Sequence, residues 1–294
     1  MNSLSLRQFL AERARELPGT FTETERLKEM DRLACWALNL SPLDLLHQKD
    51  HPLSHWTNRE TKALEMSSER RIQGEPLSRI QGERGFWKDI FLISPATLDP
   101  RPETEGLIEL ALTQFPRESP VSILELGVGS GCLLLSLLRE FQNAQGTGID
   151  LSGEALEVSQ KNAERLGLSK RVSLLQGHWF SPLQKTTPKF DLIVSNPPYI
   201  PSHVIPTLEK DVRDYDPLLA LDGGLDGLNA YQNIIPQAAS YLSPGGRILL
   251  EMGIHQADSL RALLNQHFKT VWITPDLSGI LRYGGAIQNQ TKPD

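Results

Sequence analysis

Apolar side chains recur every three or four positions through most of residues 1–75, the spacing of one helix face. LRQFLAERAREL (6–17) predicts a first helix. TETERLKEMDRLACWALNL (22–40) predicts a second, with Thr22 and Glu25 at capping-box spacing. NRETKALEMSSERRIQG (58–74) predicts a third, with Asn58 as its N-cap. Three helices this short and this charged predict a small bundle over 1–75. The pattern then changes. GEPLSRIQGERGFWKDIFLISPATLDPRP (74–102) is rich in Gly and Pro around β-prone segments, and predicts a β-hairpin linker over 76–102.

From 103 to 294 amphipathic helices alternate with short apolar runs. The predicted strands are VSILEL (121–126), GTGID (146–150), VSLLQ (172–176), FDLIVSN (190–196) and GRILLEM (246–252). Helical segments fall at 103–115, 132–141, 152–167 and 228–242. Continuous apolar strands separated by helices predict an α/β domain with a parallel sheet covered on both faces. FKTVWITPD (268–276) and LRYGGAIQ (281–288) predict a terminal hairpin.

Composition narrows the class. The 294 residues are 39% hydrophobic and 22% charged, which argues against disorder. The longest apolar run, LLLSLL (133–138), is far short of the ~20 residues that span a bilayer. The N-terminus mixes Arg and Glu with its apolar residues, so a secretory signal is not expected. Cys35 and Cys132 read as buried thiols in a reducing cytosol, and a cytoplasmic location is expected. Thirty basic against thirty-six acidic side chains give −6, which argues against stable nucleic-acid binding.

Two motifs carry chemistry. ILELGVGSG (123–131) joins a strand to a helix, and Gly127, Gly129 and Gly131 leave its backbone open to a ligand at the carboxyl end of the sheet. Cys132 stands where a dinucleotide fingerprint needs its third Gly. Asp150 ends the next strand and suits both hydroxyls of a ribose; it is equally placed to cap the following helix, a task open to Ser152. Together these point to a nucleoside ligand without a phosphate clamp, which S-adenosylmethionine satisfies. SNPPYIP (195–201) ends the fourth strand, because successive prolines cannot continue a ladder. Asn196 offers a side-chain carbonyl and Pro197 a main-chain one, two acceptors for the two hydrogens of a planar NH2; Tyr199 suits stacking on its face. Such an amide or amine has a delocalised lone pair, so orientation and charge stabilisation supply the catalysis. The pair of motifs on neighbouring strands predicts an amino- or amide-nitrogen methyltransferase.

With these residues in place, the sequence resembles the glutamine-N5 methyltransferases of peptide chain release factors, the PrmC/HemK family. The resemblance rests on 74–87, 93–105 (ISPATLDPRPETE), 123–138, 195–201 and 219–231 (LALDGGLDGLNAY). It implies a seven-stranded Rossmann-like, S-adenosylmethionine-dependent methyltransferase domain (103–294), a hairpin linker (76–102) and a helical substrate-docking domain (1–75). It also implies the substrate, the glutamine of the Gly-Gly-Gln loop of class 1 release factors, and hence a role in translation termination. Carried over by position, Gly127, Val128, Gly129, Ser130 and Gly131 would contact the cofactor, Asp150 its ribose and Trp179 its adenine, with Asn196 bordering it. Asn196, Pro197, Pro198 and Tyr199 would grip the glutamine. Without the family, Trp179 reads equally well as a core aromatic. His178 stands where relatives often carry an acid, and DLSGILRYGGA lacks their charged pattern.

Other features are set aside. Pro52 interrupts the helical spacing of His47, His51 and His55, so no metal is expected. Asp222 and Asp226 lack the remaining ligands of a calcium loop and read as a turn and a helix cap. Arg70, Arg71, Arg79, Arg84 and Lys88 make the linker locally basic. The rival activities are a ribosomal-protein glutamine methyltransferase, an exocyclic-amine methyltransferase of DNA or RNA, and a non-catalytic adenosylmethionine-binding module.

Overall fold

Capping chemistry starts the N-terminal helices. In the computed structural model, which describes residues 4–18, 21–184 and 189–289, helix α1 spans Leu6–Glu16, α2 Glu23–Ala37, α3 Pro42–Gln48, α4 Asn58–Ile72 and α5 Leu77–Gln81. The first four each open on a reciprocal capping box: Ser5 with Gln8, Thr22 with Glu25, Ser41 with Asp44 and Thr57 with Glu60. The N-cap of α4 is therefore Thr57 and not Asn58. Thr57 has an acid three residues on to return its hydrogen bond, whereas Asn58 has Thr61. Helices α3 and α5 were not visible as periodic segments because each is too short to repeat a face. The helices close on Leu6, Leu10, Met30, Leu33 and Leu64, all buried. This unit comprises residues 1–82 together with 210–215. Within it Lys210 Nζ donates to the Gln73 carbonyl (2.7 Å).

The second compact unit comprises 83–209 and 216–294. It begins with a hairpin, β1 (Glu83–Phe86) and β2 (Asp89–Leu92), turning at Trp87 and Lys88. A seven-stranded sheet follows: β3 (Ser122–Leu126), β4 (Gln145–Asp150), β5 (Val172–Gln176), β6 (Phe190–Ser195), β7 (Leu242–Glu251), β8 (Thr270–Pro275) and β9 (Leu281–Ile287). Their order is β5-β4-β3-β6-β7-β9-β8. The first five in that order are parallel, and β9 is antiparallel to both its neighbours. The last two strands do pair as the terminal hairpin expected. The sequence pattern did not show that β9 inserts between β7 and β8. Glycines permit that insertion: a Cβ on Gly284 would lie 2.5 Å from Leu260, and one on Gly285 2.3 Å from Trp272.

Period-2 alternation sorts the strand side chains to two faces. Ile123, Leu192, Val194 and Leu249 pack with α6 (Glu105–Gln114), α7 (Cys132–Glu140) and α8 (Gly153–Arg165). Leu124, Leu126, Ile193, Ile248 and Leu250 pack with α11 (Asn229–Tyr241) and α12 (Ala257–Asn265), after the short helices α9 (Lys210–Arg213) and α10 (Leu218–Leu221). The chain therefore folds as the doubly covered sheet that its apolar strands demand. The sequence order reverses between β3 and β6, which sets a crevice at the carboxyl ends of the central strands. Among the described residues, no helix is long and apolar enough to cross a membrane.

Candidate active site

The crevice is a cavity of about 350 Å³. Its floor is the turn after β3. Gly127, Gly129 and Gly131 all take left-handed backbone (φ 73°, 54° and 81°), where an L side chain is strained. The three glycines differ in what they face. A Cβ on Gly129 would meet nothing within 4 Å, and one on Gly127 only Trp179 at 3.9 Å. A Cβ on Gly131 would sit 2.8 Å from Ser159 Oγ, so this glycine is required for α8 to approach. Ser159 Oγ donates in turn to the Gly129 carbonyl (3.0 Å). Gly127, Val128, Gly129 and Ser130 line the cavity, and Gly131 supports it from behind.

Asp150, at the end of β4, also lines the cavity. One carboxylate oxygen accepts from Gly129 N (2.8 Å) and the other from Ser152 N (2.9 Å). Ser152, not Asp150, caps α8: its hydroxyl accepts from Ala155 N. Asp150 thus braces the glycine turn and still has lone pairs for a ligand. Burial pushes its pKa up, opposed by the backbone donors. Trp179, at φ 49°, and His178 form the adjoining wall. Glu125 is buried below the floor, where one oxygen accepts from Leu134 N (2.9 Å); burial raises its pKa well above the usual range. Burial also pushes the Cys132 thiol up to about 12, leaving it protonated and inert.

Asn196 and Pro198 line the cavity beside this cradle, because β6 runs parallel to β3. Pro197 is buried, and Pro197 and Tyr199 lie outside the cavity lining. The Tyr199 hydroxyl instead reaches Glu251 Oε1 (3.4 Å). Burial of the phenol raises its pKa. The loop is held from outside by the segment 219–227. Ile200 N donates to Leu221 O and Gly223 N to Ile200 O. Gln256 Nε2 donates to the carbonyls of both Tyr199 (3.0 Å) and Gly227 (3.2 Å). Asp222 accepts from Gly224 N and Ser202 Oγ, and Asp226 from Leu228 N, so both acids serve turns.

Sequence reasoning missed a second layer of the site. Asn196 Nδ2 donates to Thr104 Oγ1 (2.9 Å), and Thr104 Oγ1 donates to Glu251 Oε2 (2.6 Å). Arg101, on the cavity wall, pairs with the buried Asp216, which also accepts from Asp99 N. The signal for Glu251 was available: an acid closing an apolar strand, as Asp150 does. Elsewhere, His51 and His55 stack with ring centroids 4.4 Å apart. Among the described residues no cluster of three or more His, Cys, Asp or Glu could hold a metal.

An open glycine cradle, a carboxylate at the end of the neighbouring strand and a polar amide facing both define a methyltransferase. A family model described as "Methyltransferase domain" matches residues 117–281. Two solved structures share the fold. One is the hMettl16 catalytic domain, solved in complex with a MAT2A 3'UTR hairpin (15% identity, 69% of this chain and 76% of that one, TM-score 0.55). The other is a 16S rRNA N2 G1207 methyltransferase of T. thermophilus (21% identity, 70% and 50%, TM-score 0.50). Closer relatives make the assignment narrower. The release factor glutamine methyltransferase of Caulobacter vibrioides is 48% identical over 66% of this chain and 67% of its own. That of Bradyrhizobium diazoefficiens is 46% identical over 77% of each, and that of Moorella thermoacetica 38% over 94% and 96%. The chain belongs to the release factor glutamine methyltransferase family.

Proposed function

We propose that the protein methylates the side-chain amide nitrogen (N5) of the glutamine in the Gly-Gly-Gln loop of class 1 release factors, with S-adenosylmethionine as donor. The observation that carries the reading is the placement of Asn196 on the cavity wall directly beside the glycine cradle. The residues fit the donor. Gly127 and Gly129 leave space where side chains would stand, and Asp150 is aimed into the same cavity with unused acceptor capacity. Gly127 to Ser130 would hold the methionine part, Asp150 the ribose, and Trp179 the adenine. When bound, S-adenosylmethionine would supply an electrophilic methyl group to the amide nitrogen, its sulfur keeping the electron pair of the C–S bond.

The chain's own contribution is orientation. Asn196 Oδ1, on the cavity wall, would accept one amide hydrogen, turning the nitrogen lone pair toward the methyl carbon and stabilising charge growing on nitrogen; the Pro197 carbonyl, which lies outside the cavity lining in this structure, is the acceptor proposed for the second. The surplus amide proton then passes to solvent, since the alkylated nitrogen is acidic. Pro198 limits the loop's freedom, and Tyr199 anchors it through Glu251. Residues 1–75 are assigned to docking the release factor.

A labelled-methyl assay tests the proposal with four acceptors: a release factor, the same factor with its Gly-Gly-Gln glutamine changed to alanine, ribosomal proteins and DNA. Label is expected in the first alone. Equal label in the alanine variant, or label only in ribosomal protein or DNA, overturns the reading.

A further inference from the structure

Hydrogen-bond polarity decides which end of Asn196 meets the substrate. A threonine hydroxyl has one hydrogen and can donate once. Thr104 spends it on Glu251 Oε2, at 2.6 Å. Toward Asn196, at 2.9 Å, the same oxygen can only accept. The Asn196 side chain is thereby compelled to turn its NH2 to Thr104, which leaves its carbonyl for the cavity. A free asparagine amide has no such preference, and the flipped orientation would present a donor to a substrate NH2.

We infer that Thr104 and Glu251 form a polarity relay that holds Asn196 with its carbonyl toward the substrate amide, and that the relay works only while Glu251 is a carboxylate. This rests on the functional reading above and adds the residues that set its geometry. The relay is rigidly mounted. Tyr283 Oη donates to the Glu103 carbonyl (2.5 Å), pinning the turn that carries Thr104. A Cβ on Gly106 would lie 2.2 Å from that same hydroxyl. Tyr231 Oη donates to the Glu251 main-chain carbonyl (2.9 Å). Both Thr104 and Glu251 are buried, and Thr104 reaches the cavity lining beside Asn196.

Protonation reverses the logic. A carboxylic acid at Glu251 becomes a donor to Thr104, and the hydroxyl is then free to donate to Asn196, favouring the flipped amide. The groups facing Glu251 are Thr104 and Glu103 from the turn before α6, Tyr199 from the loop, Arg282 and Tyr283 from β9, and Tyr231 from α11. Burial outweighs the Thr104 hydrogen bond and the Arg282 charge, and the Glu251 carboxyl is pushed up to about 7. The switch therefore falls near neutral pH.

Three variants and one spectroscopic readout test the relay. T104V is expected to lower kcat about 100-fold, the scale of a mispositioned catalytic group. KM for the release factor and cofactor affinity by calorimetry should stay within about threefold in that variant. T104S restores the hydroxyl and should recover most of the loss. In the wild type, kcat should fall as pH drops through about 7. E251Q removes the titrating proton but can turn either its amide oxygen or its NH2 to Thr104, so it should be several-fold slower at pH 8 and lose that acid limb. Near-normal kcat in T104V, no rescue by T104S, or an unchanged acid limb in E251Q overturns the relay. The Asn196 side-chain NH2 signals, assigned with N196D, give a readout independent of turnover. They should titrate near neutral pH in the wild type and not in E251Q, and absence of that titration overturns the relay whatever the substrate. A wild type that leaves release factor unlabelled while these signals titrate refutes the functional reading and retains the relay.

Discussion

Gly227→Ala puts a single methyl group against the Asn-Pro-Pro-Tyr loop from outside the cavity. A Cβ there would lie 2.3 Å from the Tyr199 carbonyl oxygen and 2.6 Å from Gln256 Nε2, at φ +77°. The first distance is about 1 Å short of the 3.4 Å of ordinary van der Waals contact. The obstacle is backbone, so relief requires the loop itself to move, and the Gln256 clamp on Tyr199 and Gly227 must open with it. A displacement of about 1 Å in a positioning element costs on the order of 100-fold in rate. The left-handed backbone adds about 1–2 kcal/mol to the stability loss and the overlap about 1–3 more. Gly245→Ala is the control. Its φ is +79°, with nothing within 4 Å of the added Cβ, so it carries the backbone cost alone. Methyl transfer to a release factor, cofactor calorimetry and urea unfolding are measured on both. Gly227→Ala should lose about 100-fold in kcat with cofactor affinity retained, and Gly245→Ala should lose stability only. Equal rates in the two variants would refute the argument that 219–227 sets the position of the Asn-Pro-Pro-Tyr loop.

Three further outcomes are expected. Asn196→Ala should abolish transfer while cofactor affinity by calorimetry stays within about tenfold, because the amide acts on the transition state; near-normal turnover would remove Asn196 from the mechanism. Asp150→Ala should weaken cofactor binding by at least about tenfold, since it loses a ligand acceptor and the brace on Gly129 N together; unchanged affinity would refute both roles. Glu251 has a folded pKa of about 7, above its unfolded value of 4.5, so its contribution to stability is full below pH 4.5 and lost as pH rises to 7. The urea stability of Glu251→Gln should accordingly fall less than that of the wild type between pH 4.5 and 8, by up to about 3 kcal/mol; parallel curves would show that the carboxyl is not shifted.

Both cradle and loop were legible as local patterns. Each is a strand end followed by residues whose backbone or side-chain chemistry is unusual, and the crevice of an α/β sheet lies at strand ends. The helix starts were legible for the same reason, as in Thr22–Glu25, where cap and partner are three residues apart. The error at Asn58 was also local: two cap-forming residues stand side by side, and only the partner at Glu60 discriminates between them.

Local chemistry in the sequence therefore determined the strand-to-helix alternation, the glycine turn, Asp150 and the Asn-Pro-Pro-Tyr loop. Long-range contacts decided the rest. Thr104 is 92 residues from Asn196 and 147 from Glu251, and no periodicity links positions so far apart. The insertion of β9 beside β7 brings Tyr283 onto the turn that carries Thr104. The 219–227 segment reaches the loop only because the chain folds back on it. A sequence shows which groups are able to donate and accept; which donor meets which acceptor, as where Asn196 Nδ2 meets Thr104 Oγ1, is settled by packing.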